Sequence, residues 1–474
     1  MIRHELYSKQ SIKIIIILSF FMSVLLSFHY LSKYDKLTKI EYTQKLGHPM
    51  IKSAVQIHWV EANQIINDIN NKKNFLEYGG DYDEFLPQRI LALYYHITGQ
   101  SILDKNGNYE INNGKFLYLT LKTLLFYLSI IYLASKITKV LPIKNCFFII
   151  FFLVIEPTIF QFHSSFWNES LFFPLQVLLL TYLISSPASL FINFFIGITL
   201  GFMFTISQES FYLIFPVIIF QIFRFKQKSF KIILSTIIGF MMILCLITIH
   251  NYKRTSTIFF MNDGAKSALY LYIAPSVLSI SEDISITSAK SKMNVEKFKW
   301  IKKNKINASF INRGFRDLGN IDNKVDRLKY YNYLQNSSLK IIIKNPISSV
   351  KFIFDKNLHT LVLDPFFIQN FYKFEVRGKK RHYKSETHKR EIPYRIIYSL
   401  FLYTIMLVGF FYSLKNVNKI IIFSVVILSL YPIFILGWMG VNRYFMPSLI
   451  YLSIFFGNGI TNILDLINKK KNYE

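Results

Sequence analysis

The sequence predicts an all-α, polytopic membrane protein with about ten transmembrane helices and two long loops on one, extracytoplasmic side. Three observations predict it. Hydrophobic residues, 52% of the chain, gather in runs long enough to cross a hydrocarbon core, which takes about 20 residues of helix. Lysines and arginines concentrate in alternate short connections. Two connections, residues 31–115 and 251–393, are far longer than the others.

The first run covers about residues 12–30, after Arg3, Lys9 and Lys13. No small-residue cleavage site follows it in SFHYLSKYDK, so it reads as a retained helix. Further runs lie near 116–135, 145–162, 168–184, 188–206, 209–223, 230–250, 394–413, 418–436 and 443–463. Lys136, Lys139 and Lys144 occupy one short connection; Arg224, Lys226, Lys228 and Lys231 another; Lys415 and Lys419 a third; Lys469, Lys470 and Lys471 close the chain. The short turns on the opposite side carry only Arg443. This asymmetry predicts a cell inner (plasma) membrane protein with both termini cytoplasmic.

The chain divides accordingly. Residues 1–250 form a seven-helix transmembrane module that includes the outer loop 31–115. Residues 251–393 form a large extracytoplasmic loop, and 394–474 a C-terminal three-helix segment with a cytoplasmic tail. No internal repeat is visible. Lys122 reads as the one charged residue well inside a run. Cys146 and Cys245 read as small core residues, placed too far apart for a disulfide.

The net charge of +27 has two readings. Ile, Lys and Asn recur everywhere, as in AT-rich coding; alternatively, the charge attracts anionic headgroups or lipid-linked phosphates. Its spread over the loops of a membrane protein argues against nucleic acid as a partner. No Walker loop is present, which excludes an ATP-driven pump, and no His spacing suits a metalloprotease.

Both loops contain helical patterns. In 83–97, Leu86, Ile90, Leu93, Tyr94 and Ile97 recur at the spacing of one helix face. The segment 348–363, SSVKFIFDKNLHTLVL, reads as an amphipathic helix lying on the membrane. The basic run RGKKRHYK at 377–384 reads as a solvated or headgroup-binding surface.

Candidate chemistry clusters on the loop side. In GGDYDEFLPQR, residues 79–89, Asp81, Asp83 and Glu84 precede Pro87 and Arg89 at a helix start. Asp83 could be a simple N-cap, with Glu84 complementing the helix dipole. A carboxylate there could equally deprotonate a hydroxyl or help hold a divalent cation. In FHSSFWNES, residues 162–170, His163, Trp167, Asn168 and Glu169 form a turn, as do Gln208 and Glu209 in 206–210; each could be only a helix cap. Acids at the hydrocarbon edge are costly, which favours function. In GWMGVNRYFMPSL, residues 437–449, Arg443 and Tyr444 are either interfacial anchors or a phosphate clamp.

This layout resembles the GT-C superfamily of membrane glycosyltransferases, such as the protein O-mannosyltransferases and the aminoarabinose transferases of lipid A. Those enzymes have one helix, an outer loop with a catalytic acid, six more helices and a second large outer loop. Asp83-Glu84 matches their Asp-Glu pair, Glu169 resembles an acid at a later outer turn, and Arg443, Tyr444 and Pro447 resemble an Arg-Tyr-x-x-Pro pattern. Asp83 stands further from the first helix than is usual there, and the Arg that many relatives place beside an acid is missing at Gln208-Glu209. The resemblance implies a hexosyl or pentosyl transferase. Its donor would be a polyprenyl-phosphate sugar, and its acceptor lipid-linked or a protein, with membrane lipids as surroundings. Asp83 and Glu84 would be catalytic; Asp81, Arg89, Glu169, Glu209, Arg443 and Tyr444 would bind substrate. It leaves the choice between Asp83 and Asp81, and any metal, open. An envelope polysaccharide polymerase or ligase, or a lipid or sugar transporter or flippase, are the alternatives.

Overall fold

A computed structural model describes residues 7–35, 62, 65–72, 85–99, 113–163, 169–255, 269–306, 324–363, 386–436 and 446–471. Among the described residues there are helices and no strands. In chain order they are α1 (Lys9–Asp35), α2 (Phe85–Thr98), α3 (Asn113–Ile137), α4 (Ile143–Ile155), α5 (Pro157–His163), α6 (Glu169–Ser185), α7 (Leu190–Ile206), α8 (Ile214–Phe225) and α9 (Ser229–Thr255). A 3-10 turn, Gln208–Leu213, leads into α8. Then follow α10 (Ala274–Glu282), α11 (Ile286–Lys303), α12 (Lys324–Lys344), α13 (Pro346–Leu363), α14 (Glu386–Asn416), α15 (Lys419–Leu436) and α16 (Met446–Lys471).

Among the described residues, the apolar runs are mostly helical, and five stretches are long and apolar enough to cross a membrane: Lys9–Phe28, Phe116–Ile137, Ser210–Lys253, Ile396–Asn416 and Pro447–Lys469. Shorter apolar helices cover Ile143–Ile155, Ser170–Ser185, Leu190–Ile206 and Lys419–Tyr431. The Ser210–Lys253 stretch is itself a pair, α8 and α9, reversed at a left-handed Lys226 (φ 49°). Ile17, Leu18, Phe21, Phe191, Phe230, Phe401 and Phe411 lie more than half exposed on helix surfaces. Large side chains left outward on so many helices suit lipid rather than water. The protein is a multi-pass membrane protein.

Short links make neighbouring helices reverse direction. The starts of α6, α14 and α16, the turn at 207–208 and the ends of α1, α5 and α9 therefore gather at one end of the bundle, with both long loops. This is the loop end. The helices approach closely where side chains vanish: a Cβ on Gly197 of α7 would overlap the Thr236 carbonyl of α9 and stand 2.8 Å from the Phe240 nitrogen. Far from the loop end, Asn145 donates to Asn458 Oδ1 at 2.6 Å, and Asn458 to Ser413 Oγ at 2.8 Å. A second set joins Tyr182, which donates to Asn193 Oδ1, and Gln221, which donates to Thr236 Oγ1 at 2.7 Å. These groups direct their hydrogen bonds at one another, as helix-to-helix polar contacts in membranes do.

Two expectations need correction. Lys122 is not the one charge inside an apolar run. Glu156 lies in 145–162, almost wholly buried, where Pro157 interrupts the helix between α4 and α5. Cys146 is buried as expected, but Cys245 is exposed on the surface of α9.

Candidate active site at the loop end

α2 starts directly after the acidic run. Its third residue is Pro87, whose missing N–H costs nothing in a first helical turn. The buried side differs from the one the apolar spacing suggests. Gln88, Leu91, Ala92 and Tyr95 are buried, spaced i, i+3, i+4 and i+7, whereas Leu93 and Ile97 are exposed. The helix is turned so that Gln88 and Arg89 reach the bundle. Arg89 Nη2 donates to His250 Nε2 of α9 at 3.1 Å, which requires a neutral imidazole with its proton on Nδ1. Tyr94 packs on Tyr118 of α3, ring centroids 5.2 Å apart. Ala62, Ile65, Leu91, Ala92, Tyr95 and Leu119 complete a small apolar cluster around them. Loop-one helix α2 is thus fastened to α9 near its start, through Arg89, and to α3 further along, through Tyr94.

Polar groups lie beneath this platform. Lys122, one turn along α3 from Tyr118, is buried and sits 5.1 Å from that ring. Asp68 is buried in the helical residues 65–70. Tyr127 bonds Ser19 at 2.7 Å and Ser23 at 2.9 Å. One turn closer to the loop end, the Ser27 and Thr123 hydroxyls are buried and have no hydrogen-bond partner among the described residues. His163, at the end of α5, is fully buried between Phe126 (4.5 Å, stacked) and the edges of Tyr127 and Phe160. Among the described residues, no side chain or backbone group hydrogen-bonds to either of its ring nitrogens.

Glu156 is held at the break itself. Its carboxylate accepts from Ile159 N at 2.8 Å and Thr158 Oγ1 at 3.0 Å, and lies 3.5 Å from Tyr398 Oη of α14. It therefore caps α5, joining the third apolar segment to α14. The signal for it was present, an acid followed by Pro in FFLVIEPTIF, but a continuous hydropathy count passes over it.

The predicted residues divide as follows. Asp81, Asp83, Glu84, Arg443 and Tyr444 lie outside the described residues. Glu169 is the first residue of α6 and Glu209 belongs to the 3-10 turn, both at the loop end. Arg89 reaches His250, a residue that the sequence reading missed. Among the described residues, no group of three or more His, Cys, Asp or Glu side chains is arranged to hold a metal ion.

No family model matches the chain, and no curated protein matches it. Solved structures do. The archaeal oligosaccharyltransferase AglB from Archaeoglobus fulgidus, in complex with an inhibitory peptide and a dolichol-phosphate, aligns with 97% of this chain and 51% of its own, at 13% identity and a TM-score of 0.48. The apo form of the Archaeoglobus fulgidus oligosaccharyltransferase aligns at 14% identity and 0.47. The form tethered to an acceptor peptide containing the NVT sequon aligns at 13% and 0.45. This chain spans about half the length of those it matches. Superpositions this loose carry no argument about activity, which rests on this chain's own residues.

Proposed function

We propose that the protein is a membrane glycosyltransferase that moves a hexosyl or pentosyl unit from a polyprenyl-phosphate donor to an envelope acceptor on the extracytoplasmic side. The observation that carries this is the fastening of α2. The acids Asp81, Asp83 and Glu84 immediately precede a helix that is tied to the bundle by Arg89 and His250 in its second turn and by the Tyr94–Tyr118 pair further along. A base in the residues that precede a docked helix would meet a lipid-borne donor arriving laterally and an acceptor from the outer solution.

In this reading the acceptor hydroxyl gives its proton to Asp83. Its oxygen forms a bond to the anomeric carbon as the bond to the phosphate oxygen breaks. The electron pair leaves with polyprenyl phosphate. General-base assistance of this kind contributes about 10²–10⁴-fold. Arg443 and the loop-two lysines stabilise the charge on the departing phosphate. Tyr444, Glu169, Glu209 and Asp81 orient the sugar or the acceptor, and a divalent cation, where one takes part, would find its oxygen ligands among Asp81, Asp83 and Glu84. Arg89, tied to His250, positions α2. Ten crossings with cytoplasmic termini belong to the same proposal.

The test is turnover. The purified protein, reconstituted in vesicles with a pool of polyprenyl-phosphate sugars and membrane acceptors, should release polyprenyl phosphate in step with glycosylated acceptor. Movement of intact donor across the bilayer without cleavage would support a flippase and overturn the proposal.

A further inference from the structure

We propose that one face of the second loop, running from the end of α12 into α13, docks on an anionic bilayer surface. Loop-two helices build their own core. Phe352 of α13 packs with Ile273 and Val277, and Ile341 and Ile342 of α12 lie against them. Ser338, Ser349 and Phe352 mark that inner side, and all three are buried. A second apolar stripe remains on the opposite side. It consists of Ile343 (73% exposed), Ile347 (83%), Val350 (53%) and Phe354 (57%), at spacings of four, three and four. Helices with an apolar face toward their own core and another toward the outside need a second apolar partner.

The surroundings of the stripe identify that partner. Lys340, Lys344 and Lys351 are exposed along its edge, and no acidic residue occurs in 338–354. Apolar side chains rimmed by lysine suit an interface where acyl chains meet phosphate headgroups. Ile347, Val350 and Phe354 belong to α13, which packs on α14. That helix carries the span Ile396–Asn416 and turns Ile397, Leu400, Phe401 and Phe411 outward. The apolar surface of the loop thus lies on a helix adjoining a lipid-facing one. A second copy is a poor occupant, because a symmetric contact would bring the three lysines of one copy against those of the other.

Site-directed spin labelling tests this on the full chain. Cys245→Ala removes the exposed thiol, and the buried Cys146 stays in place. Single cysteines are then introduced as Ile347→Cys and Val350→Cys, with Lys302→Cys, exposed on α11, as the water-facing control. The proteins are placed one per nanodisc, in phosphatidylcholine with or without phosphatidylglycerol. With the anionic lipid, labels at 347 and 350 should be rich in oxygen and several-fold shielded from a water-soluble nickel relaxation agent relative to 302. Adding Lys340→Glu, Lys344→Glu and Lys351→Glu should return 347 toward the value at 302. Equal nickel access at 347 and 302 overturns the proposal, as does shielding that arises only when two copies share a disc. Neither outcome depends on sugar transfer.

Discussion

The contact between Arg89 and His250 makes a prediction that separates a docked α2 from one merely lying near the bundle. The bond is 3.1 Å long, its acceptor is almost wholly buried, and its donor is charged. A hydrogen bond to a charged group contributes about 1.5–3 kcal/mol, or roughly 10- to 150-fold in a local opening equilibrium. The perturbation is a double-mutant cycle: Arg89→Met, His250→Phe and both together. The assay is hydrogen exchange of the amides of Leu91–Tyr95 in nanodiscs, which reads the local opening of α2. Both residues make further interactions, so each single substitution should lower protection by at least that factor. In the double variant the two losses should not add; they should overlap by about 1.5–3 kcal/mol, the coupling of the pair. Additive losses, or unchanged protection in Arg89→Met, would refute the fastening on which the functional proposal rests.

Other consequences are smaller but equally definite. Gly197→Val drives a branched side chain into the Thr236 carbonyl and should lower stability by about 1–3 kcal/mol, read as a lower melting temperature in detergent; an unchanged melt means that α7 and α9 do not meet there. His163→Phe replaces a fully buried ring whose nitrogens have no partners among the described residues and should leave the melting temperature unchanged or raise it; a marked fall would mean that the nitrogens are engaged. Glu156→Ala removes the acceptor for Ile159 N and Thr158 Oγ1 and should cost about 0.5–2 kcal/mol, with Glu156→Gln recovering part of the loss. Equal melts for the three forms would remove the capping role.

The bundle was legible because lipid enforces a simple rule. Helices facing acyl chains must be apolar along their length, so Lys9–Phe28 or Ile396–Asn416 stand out as runs whatever packs beside them. The side of α2 that faces the bundle was not legible. Leu86, Ile90, Leu93, Tyr94 and Ile97 recur at helical spacing, yet Leu93 and Ile97 face outward while Gln88 is buried. Apolar periodicity reports which side avoids water; beside a membrane an apolar side chain has two ways to do so. Glu156 escaped for a related reason, since one acid barely alters the average of an apolar run, and its partner Tyr398 is distant in sequence. His250 likewise becomes interesting only through Arg89. The candidate acids were visible directly, because Asp81, Asp83, Glu84 and the helix they precede are contiguous in the chain.

In the proposed reaction a loop-one carboxylate accepts the proton of the attacking hydroxyl. Asp83→Asn keeps the size and capping capacity of the side chain while removing its basicity. Measured in reconstituted vesicles with saturating donor, the account predicts a fall in transfer of about 10²–10⁴-fold, with the melting temperature and the α2 protection unchanged. Transfer at the wild-type rate by Asp83→Asn would contradict it.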